Sequence, residues 1–217
     1  MGMPERTIVA TTHGRYLIRA PRPGLPMLVG FHGYAESAET DLARLQSIEG
    51  SDRWIVVAVQ GLHRFYRGRS SDVVAGWMTT QNRELAIEDN KIYTSKVIEA
   101  VSQEWTPASG LVLSGFSQGV AMAFRAATNC NRSVSGVISL AGDVPPELDA
   151  RALSRIPAVL IGRGTRDEWY TERKAEADER RLREAGVDVQ MVVFDGAHEW
   201  TPEFAKAAGR CLELWRM

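Results

Sequence analysis

The sequence predicts one α/β domain: a mostly parallel, doubly wound sheet with helices on both faces. Three observations carry this. Short apolar runs alternate with longer amphipathic ones along the chain. Most of the short runs are apolar at successive positions, the pattern of strands buried on both sides. The 217 residues, 44% of them hydrophobic, suffice for one sizeable core but not for two comfortable domains, so residues 1–217 are read as one unit.

Taken in order, residues 7–12 and 15–20 flank His13-Gly14 and read as a hairpin that makes one sheet edge antiparallel. Residues 27–31 form a short apolar run after a Pro/Gly-rich stretch. Further β-rich runs cover 54–60, 110–114, 134–140, 158–162 and 189–194. Helix patterns at 37–48, 87–104, 118–128 and 171–185 fill gaps between strands, and 199–215 closes the chain. Gly186 stands where a helix C-cap belongs. Strand and helix in this rhythm imply a doubly wound sheet. The long connection 61–86, with Phe65, Tyr66 and Trp77, is expected to wall a substrate pocket. The final Leu212-Glu213-Leu214-Trp215 is apolar enough for core or for an interface in a homo-oligomer.

Charge narrows the function. Lys plus Arg number 26 against 27 Asp plus Glu, for a net charge of -1. That balance gives no sign of a nucleic-acid partner or of an acidic tail. Cys130 and Cys211 form neither a disulfide framework nor a zinc-ligand pattern, and a reducing cytoplasm suits them. The opening residues lack the apolar stretch of a signal peptide. No apolar run approaches the ~20 residues that span a bilayer. A cytoplasmic protein without stable membrane insertion is expected.

The chemistry-bearing motif is Gly115-Phe116-Ser117-Gln118-Gly119. The pattern G-x-S-x-G is weak alone, because its glycines can simply pack a strand–helix turn with Ser117 as helix cap. Its setting strengthens it. Leu111-Val112-Leu113 precedes and Val120-Ala121-Met122-Ala123-Phe124 follows, so strand, sharp turn and helix succeed one another as a nucleophile elbow requires. The hydroxyl then projects above the sheet, and the helix N-terminus favours a developing oxyanion.

A serine nucleophile needs a base. On such a sheet the partners follow in the order Ser, acid, His. Of the four histidines, His13, His32, His63 and His198, only His198 lies after Ser117. Asp143 and Asp167 both follow strands between the two, and Asp167 is favoured because it is one strand nearer His198. For the oxyanion hole, the N–H of Gln118 and that of Tyr34, in Gly30-Phe31-His32-Gly33-Tyr34-Ala35, are the candidate donors. His32 is expected to hold that loop in shape.

These residues resemble the phospholipase/carboxylesterase family of α/β-hydrolases, which includes small bacterial carboxylesterases and acyl-protein thioesterases. Phe31-His32-Gly33 resembles its oxyanion loop, and Gly76-Trp77 its tryptophan after a long loop. The nucleophile motif matches down to Phe116 and Gln118. Gly164-Thr165-Arg166-Asp167 resembles its acid loop, and Gly196-Ala197-His198 its histidine loop. The resemblance implies a minimal α/β-hydrolase without a large cap domain, and 141–155 leaves room for only a short link. Two departures matter. Tyr34-Ala35-Glu36 lacks the second glycine that many members carry, and Glu168-Trp169-Tyr170 replaces a small-Pro pattern. His32, Trp77, Trp169 and Trp200 are candidate pocket residues, and Trp169 and Trp200 are expected to narrow the pocket against long acyl chains.

The expectation is therefore a serine carboxylesterase acting on small to medium acyl esters, with Ser117, Asp167 and His198 as triad and no metal or organic cofactor. A lysophospholipase or acyl thioesterase with the same triad is the alternative. A catalytically silent binding protein on the same fold is the third reading.

Overall fold

Every residue of β2, Met27–Phe31, is buried, as are those of β3, Ile55–Gln60, and β6, Leu111–Phe116. Strands of this kind need cover on both faces. In the computed structural model, which describes residues 3–216, they occupy the middle of a seven-stranded sheet. The other members are β1 (Arg15–Arg19), β7 (Gly136–Leu140), β8 (Ala158–Gly164) and β9 (Asp188–Phe194). The order across the sheet is β1-β3-β2-β6-β7-β8-β9. All pairs are parallel except β1 with β3.

Side-chain alternation decides which helix covers which face. Met27, Val29 and Phe31 point to one side with Ile55, Val57 and Val59, and pack beneath α2 (Arg83–Trp105), α3 (Gln118–Asn129) and α5 (Glu172–Glu184). Leu28, Val56 and Ala58 point to the other, beneath α1 (Ala38–Ser47) and α6 (Pro202–Leu214). Burying such side chains contributes about 1.5–3 kcal/mol each, so this two-sided core is the main stabilising term. Local signals set the helix ends. Ser37 caps α1 by accepting from the Thr40 N–H, Thr201 does the same for α6 from Phe204, and Gly186 follows α5 at φ 82°.

The expected N-terminal hairpin does not form. Residues 3–14 carry no strand, and Ile8 and Val9 are exposed. Their alternation resembles a strand but has no apolar surface to cover. The antiparallel edge arises instead from β1 lying on β3, with Tyr16 opposite Val59 and Ile18 opposite Val57. Gly14 makes room there for the Tyr93 ring of α2, which would clash with any Cβ at 1.9 Å.

The long connection 61–86 is partly ordered. It holds a two-stranded antiparallel ribbon of β4 (His63–Tyr66) and β5 (Val73–Gly76). The link after β7 holds only the short α4 (Ala150–Leu153), so no cap domain covers the sheet. α5 fastens that link: Arg181 donates to the carbonyls of Val144, Pro145 and Pro146, and Asp178 accepts from the Val144 N–H at 3.0 Å. At the chain's end Leu212 is buried in the core, whereas Leu214 is exposed. Among the described residues no helix is long and apolar enough to cross a membrane.

From β2 the chain passes to β3 on one side, and from β3 back across to β6 on the other. The crevice beyond the carboxyl ends of β2 and β6 is thus the topological switch point, where ligands bind in sheets of this kind.

Candidate active site

Ser117 stands between the end of β6 and the start of α3, at φ 53° and ψ -121°. A non-glycine residue in the left-handed region is strained by about 1–3 kcal/mol. The flanking glycines allow the turn to stay tight. A Cβ on Gly115 would lie 2.5 Å from the Gly119 carbonyl oxygen, and one on Gly119 would lie 1.9 Å from that of Phe31. The Ser117 N–H donates to the Leu140 carbonyl at 2.9 Å, which anchors the turn to β7.

His198 meets the serine across the crevice. Its Nε2 is 2.8 Å from the Ser117 Oγ, and its Nδ1 is 2.9 Å from Asp167 Oδ2 and 3.1 Å from Oδ1. Asp167 can only accept, so Nδ1 carries the proton and Nε2 presents a lone pair to the hydroxyl. The Asp167 side chain is fully shielded from solvent, and its Oδ1 also accepts the N–H groups of Trp169 and Tyr170, each at 2.9 Å. Those two bonds aim the carboxylate. The acid and histidine loops interlock as well: Arg166 N–H donates to Gly196 O at 2.8 Å, and a Cβ on Gly164 would lie 2.3 Å from Ala197 O. Asp143, the other candidate acid, pairs instead with Lys174 at 3.2 Å.

The loop after β2 supplies one further amide. Gly33 N–H donates to Glu36 Oε2 at 2.7 Å, and Ala35 N–H to Ala75 O at 2.9 Å. That leaves the Tyr34 N–H between them. Gln118 opens α3, so its N–H has no acceptor within the helix. Tyr34, Gln118, Ser117 and His198 line one cleft of about 700 Å³. Ala35 adopts φ 57°, the backbone a second glycine would take freely.

Several supports of this arrangement carry no sequence signal. Glu36 forms a two-pronged ion pair with Arg44 at 2.5 and 2.6 Å. Burial pushes the Glu36 carboxyl up, but Arg44 and the Gly33 N–H bring it below its ordinary range. The Arg44 guanidinium stacks 4.2 Å over the Phe116 ring, which in turn lies 5.2 Å from the His198 ring. Behind the loop, Asp41 is wholly buried, its Oδ2 without a partner among the described residues, and burial raises its pKa to about 8.

Of the four candidate pocket residues only Trp169 lines the cleft, at its exposed rim. His32 is buried beneath the loop. Its Nε2 accepts the Gly61 N–H at 2.9 Å, so the proton sits on Nδ1 and is donated to the Gly33 carbonyl at 2.6 Å. Burial also lowers its pKa and keeps it neutral. Both nitrogens are committed to the shape of the loop. Trp77 is fully buried and donates from Nε1 to the His32 carbonyl at 2.8 Å. Trp200 faces away from the cleft, packs edge-on against Phe204 at 5.2 Å and borders a separate surface hollow with Ser47 and Lys206. Trp77 and Trp200 find apolar neighbours nearer than the cleft, so neither shapes it directly.

The fold and motifs agree with comparisons to known proteins. The model of the phospholipase/carboxylesterase family matches residues 72–216, more than half of the chain. A Bacillus cereus carboxylesterase is similar in structure, with a TM-score of 0.70 at 16% identity over 93% of this chain and 94% of that one. Acyl-protein thioesterase 2 of Zea mays gives 0.73 at 16% identity, over 94% and 100%. The protein Atu2452 of unknown function from Agrobacterium tumefaciens gives 0.70 at 17% identity, over 92% and 95%. At such identities the likeness is one of fold. Comparison with curated proteins returns no match. The α/β-hydrolase sheet, the matched family model and the motifs in their order together assign the chain to the phospholipase/carboxylesterase family.

Proposed function

We propose that the protein is a serine carboxylesterase cleaving small to medium acyl esters, with Ser117 as nucleophile. The observation that carries this reading is the continuous relay from Ser117 Oγ to His198 Nε2 at 2.8 Å and from His198 Nδ1 to Asp167 at 2.9 Å. Ser117 attacks the ester carbonyl while His198 takes the hydroxyl proton. The Tyr34 and Gln118 amides hold the resulting oxyanion. The tetrahedral intermediate collapses, and His198 returns the proton to the departing alkoxide. Water then attacks the acyl-enzyme with His198 again the base, releasing the acid and free serine. Asp167 keeps the imidazole in the working tautomer and stabilises the imidazolium.

An acyl thioesterase would share every protein group of this sequence. The likeness in fold to a protein described as an acyl-protein thioesterase favours testing it. The tryptophan at the cleft rim favours shorter chains. A silent binding protein has no need of the complete relay. Buried free thiols at Cys130 and Cys211 are consistent with work in a reducing cytoplasm. The experiment is a panel of p-nitrophenyl esters from acetate to palmitate beside the matching thioesters, on wild type and Ser117→Ala. Highest kcat/KM on short or medium oxygen esters, lost in the variant, supports the reading. A palmitate or thioester optimum would replace its substrate class.

A further inference from the structure

The floor of the cleft is one face of α3. Ser117, Ala121 and Arg125 follow at four-residue spacing and all line it. Eight residues of helix carry the chain about 12 Å along its axis. Small Ala121 leaves that path open, and it ends on a guanidinium. Arg125 is 1% exposed. Its Nε donates to Glu147 Oε1 at 2.8 Å, and its Nη1 lies between the sulfurs of Met78 and Met122 at 3.7 and 3.9 Å. Nη2 is 2.6 Å from the same Glu147 oxygen but at an angle that makes no hydrogen bond, and it has no other partner among the described residues. Glu147 thus meets the charge of the guanidinium, and Nη2 itself is closed off from solvent.

Beside it stands a second cation. Arg83, in the first turn of α2, lines the same cleft. Burial pushes the Arg125 pKa down, Glu147 counters it, and the nearby Arg83 charge adds to the fall. The other charged groups of the lining are paired: Glu36 with Arg44, Asp143 with Lys174 and Arg125 with Glu147. Among the described residues Arg83 has no ion pair, so this end of the cleft holds one positive charge in excess.

We propose that Arg83, backed by the buried Arg125 guanidinium, forms an anion subsite, and that the preferred esters carry a carboxylate that reaches Arg83 from the scissile carbonyl. The substrate class is then a half-ester of a dicarboxylic acid, or an ester whose alcohol bears a carboxylate. This rests on Ser117 being the nucleophile. An apolar stem would lie over Ala121, and the carboxylate would pair with Arg83.

The test has a turnover arm and a binding arm. Wild type is assayed on 4-nitrophenyl hydrogen adipate against 4-nitrophenyl methyl adipate, and on 6-acetoxyhexanoate against its methyl ester. The first pair places the charge on the acyl side, the second on the alcohol side. In one pair the charged ester should win by about tenfold or more in kcat/KM. That ratio should fall toward unity in Arg83→Gln and with added salt. Binding of monomethyl adipate against dimethyl adipate to Ser117→Ala protein is read by calorimetry and does not depend on turnover. Charged ratios at or below unity in both pairs and in binding, or a preference untouched by Arg83→Gln, would overturn the subsite. Failure of wild type to cleave any of the neutral esters would instead remove the Ser117 reading, while the binding arm still decides the subsite.

Discussion

Gln118 ties the backbone of Trp77 to the turn that carries Ser117: its Oε1 accepts the Trp77 N–H at 2.8 Å, and its Nε2 donates to the Met78 carbonyl at 3.0 Å. In the proposed mechanism its own amide holds the oxyanion, while its side chain fastens the loop after β5. Gln118→Met keeps the volume and leaves both backbone groups without that partner. The loss should cost about 1–3 kcal/mol of stability and lower kcat about 10- to 100-fold through misplacement of the cleft wall. Denaturant melts and steady-state kinetics read the two effects. Unchanged kcat would mean that the loop position does not matter to turnover.

The two candidate acids differ in what they touch. Asp167 faces His198, and Asp143 faces Lys174. Asp167→Asn should lower kcat by about four orders of magnitude because an amide no longer selects the tautomer. Asp143→Asn should change kcat by less than about tenfold. Kinetics on both variants decide it, and the reverse ranking would reassign the acid.

Glu36 holds the Gly33 amide and the Arg44 guanidinium together. In Glu36→Ala both lose their acceptor, and kcat should drop about 10- to 100-fold. The pH dependence has a definite sign. Arg44 holds this carboxyl below its ordinary value despite burial, so its stabilisation is present above the unfolded-state pKa and is lost as pH falls through the lower folded one. The melting temperature of the variant should therefore fall less steeply than wild type on acidification below about pH 4.5. Parallel acid limbs would contradict this.

Asp41 behaves in the opposite sense. Burial lifts its pKa from 3.8 to about 8, with Arg44 opposing and Glu36 adding to the rise. The native state therefore holds a proton that the unfolded chain releases near pH 4. The contribution is complete below that pH and is lost as pH rises to about 8. Asp41→Asn, which cannot ionise, should gain stability relative to wild type between pH 5 and pH 8. Melts across that window check it, and a constant offset between the two curves would refute it.

What the sequence revealed follows from how local each signal is. The tight turn needs Gly115 and Gly119 beside Ser117, and chain order leaves His198 as the one downstream histidine, so the facing residues could be read from spacing. The two-sided strands were legible because burial on both faces leaves unbroken apolar runs. Residues 7–12 misled, since alternation marks a strand only where a partner exists to cover one face. Two of the three tryptophan candidates misled for a related reason. Which way Trp77 or Trp200 points depends on neighbours far along the chain, Phe31 and His32 for one and Phe204 for the other. Arg125 is hidden inside an ordinary helix pattern, and only the packing of Glu147 and Met78 around it reveals the cleft's charged end.

The proposed hydrolysis requires Ser117 to be an activated nucleophile. Folded protein treated with a fluorophosphonate, then digested and mapped by mass spectrometry, tests this directly. A single adduct on Ser117, absent from heat-unfolded protein and strongly slowed in His198→Ala, is the predicted result. Folded protein that stays unlabelled, or an adduct on another residue, would contradict the account.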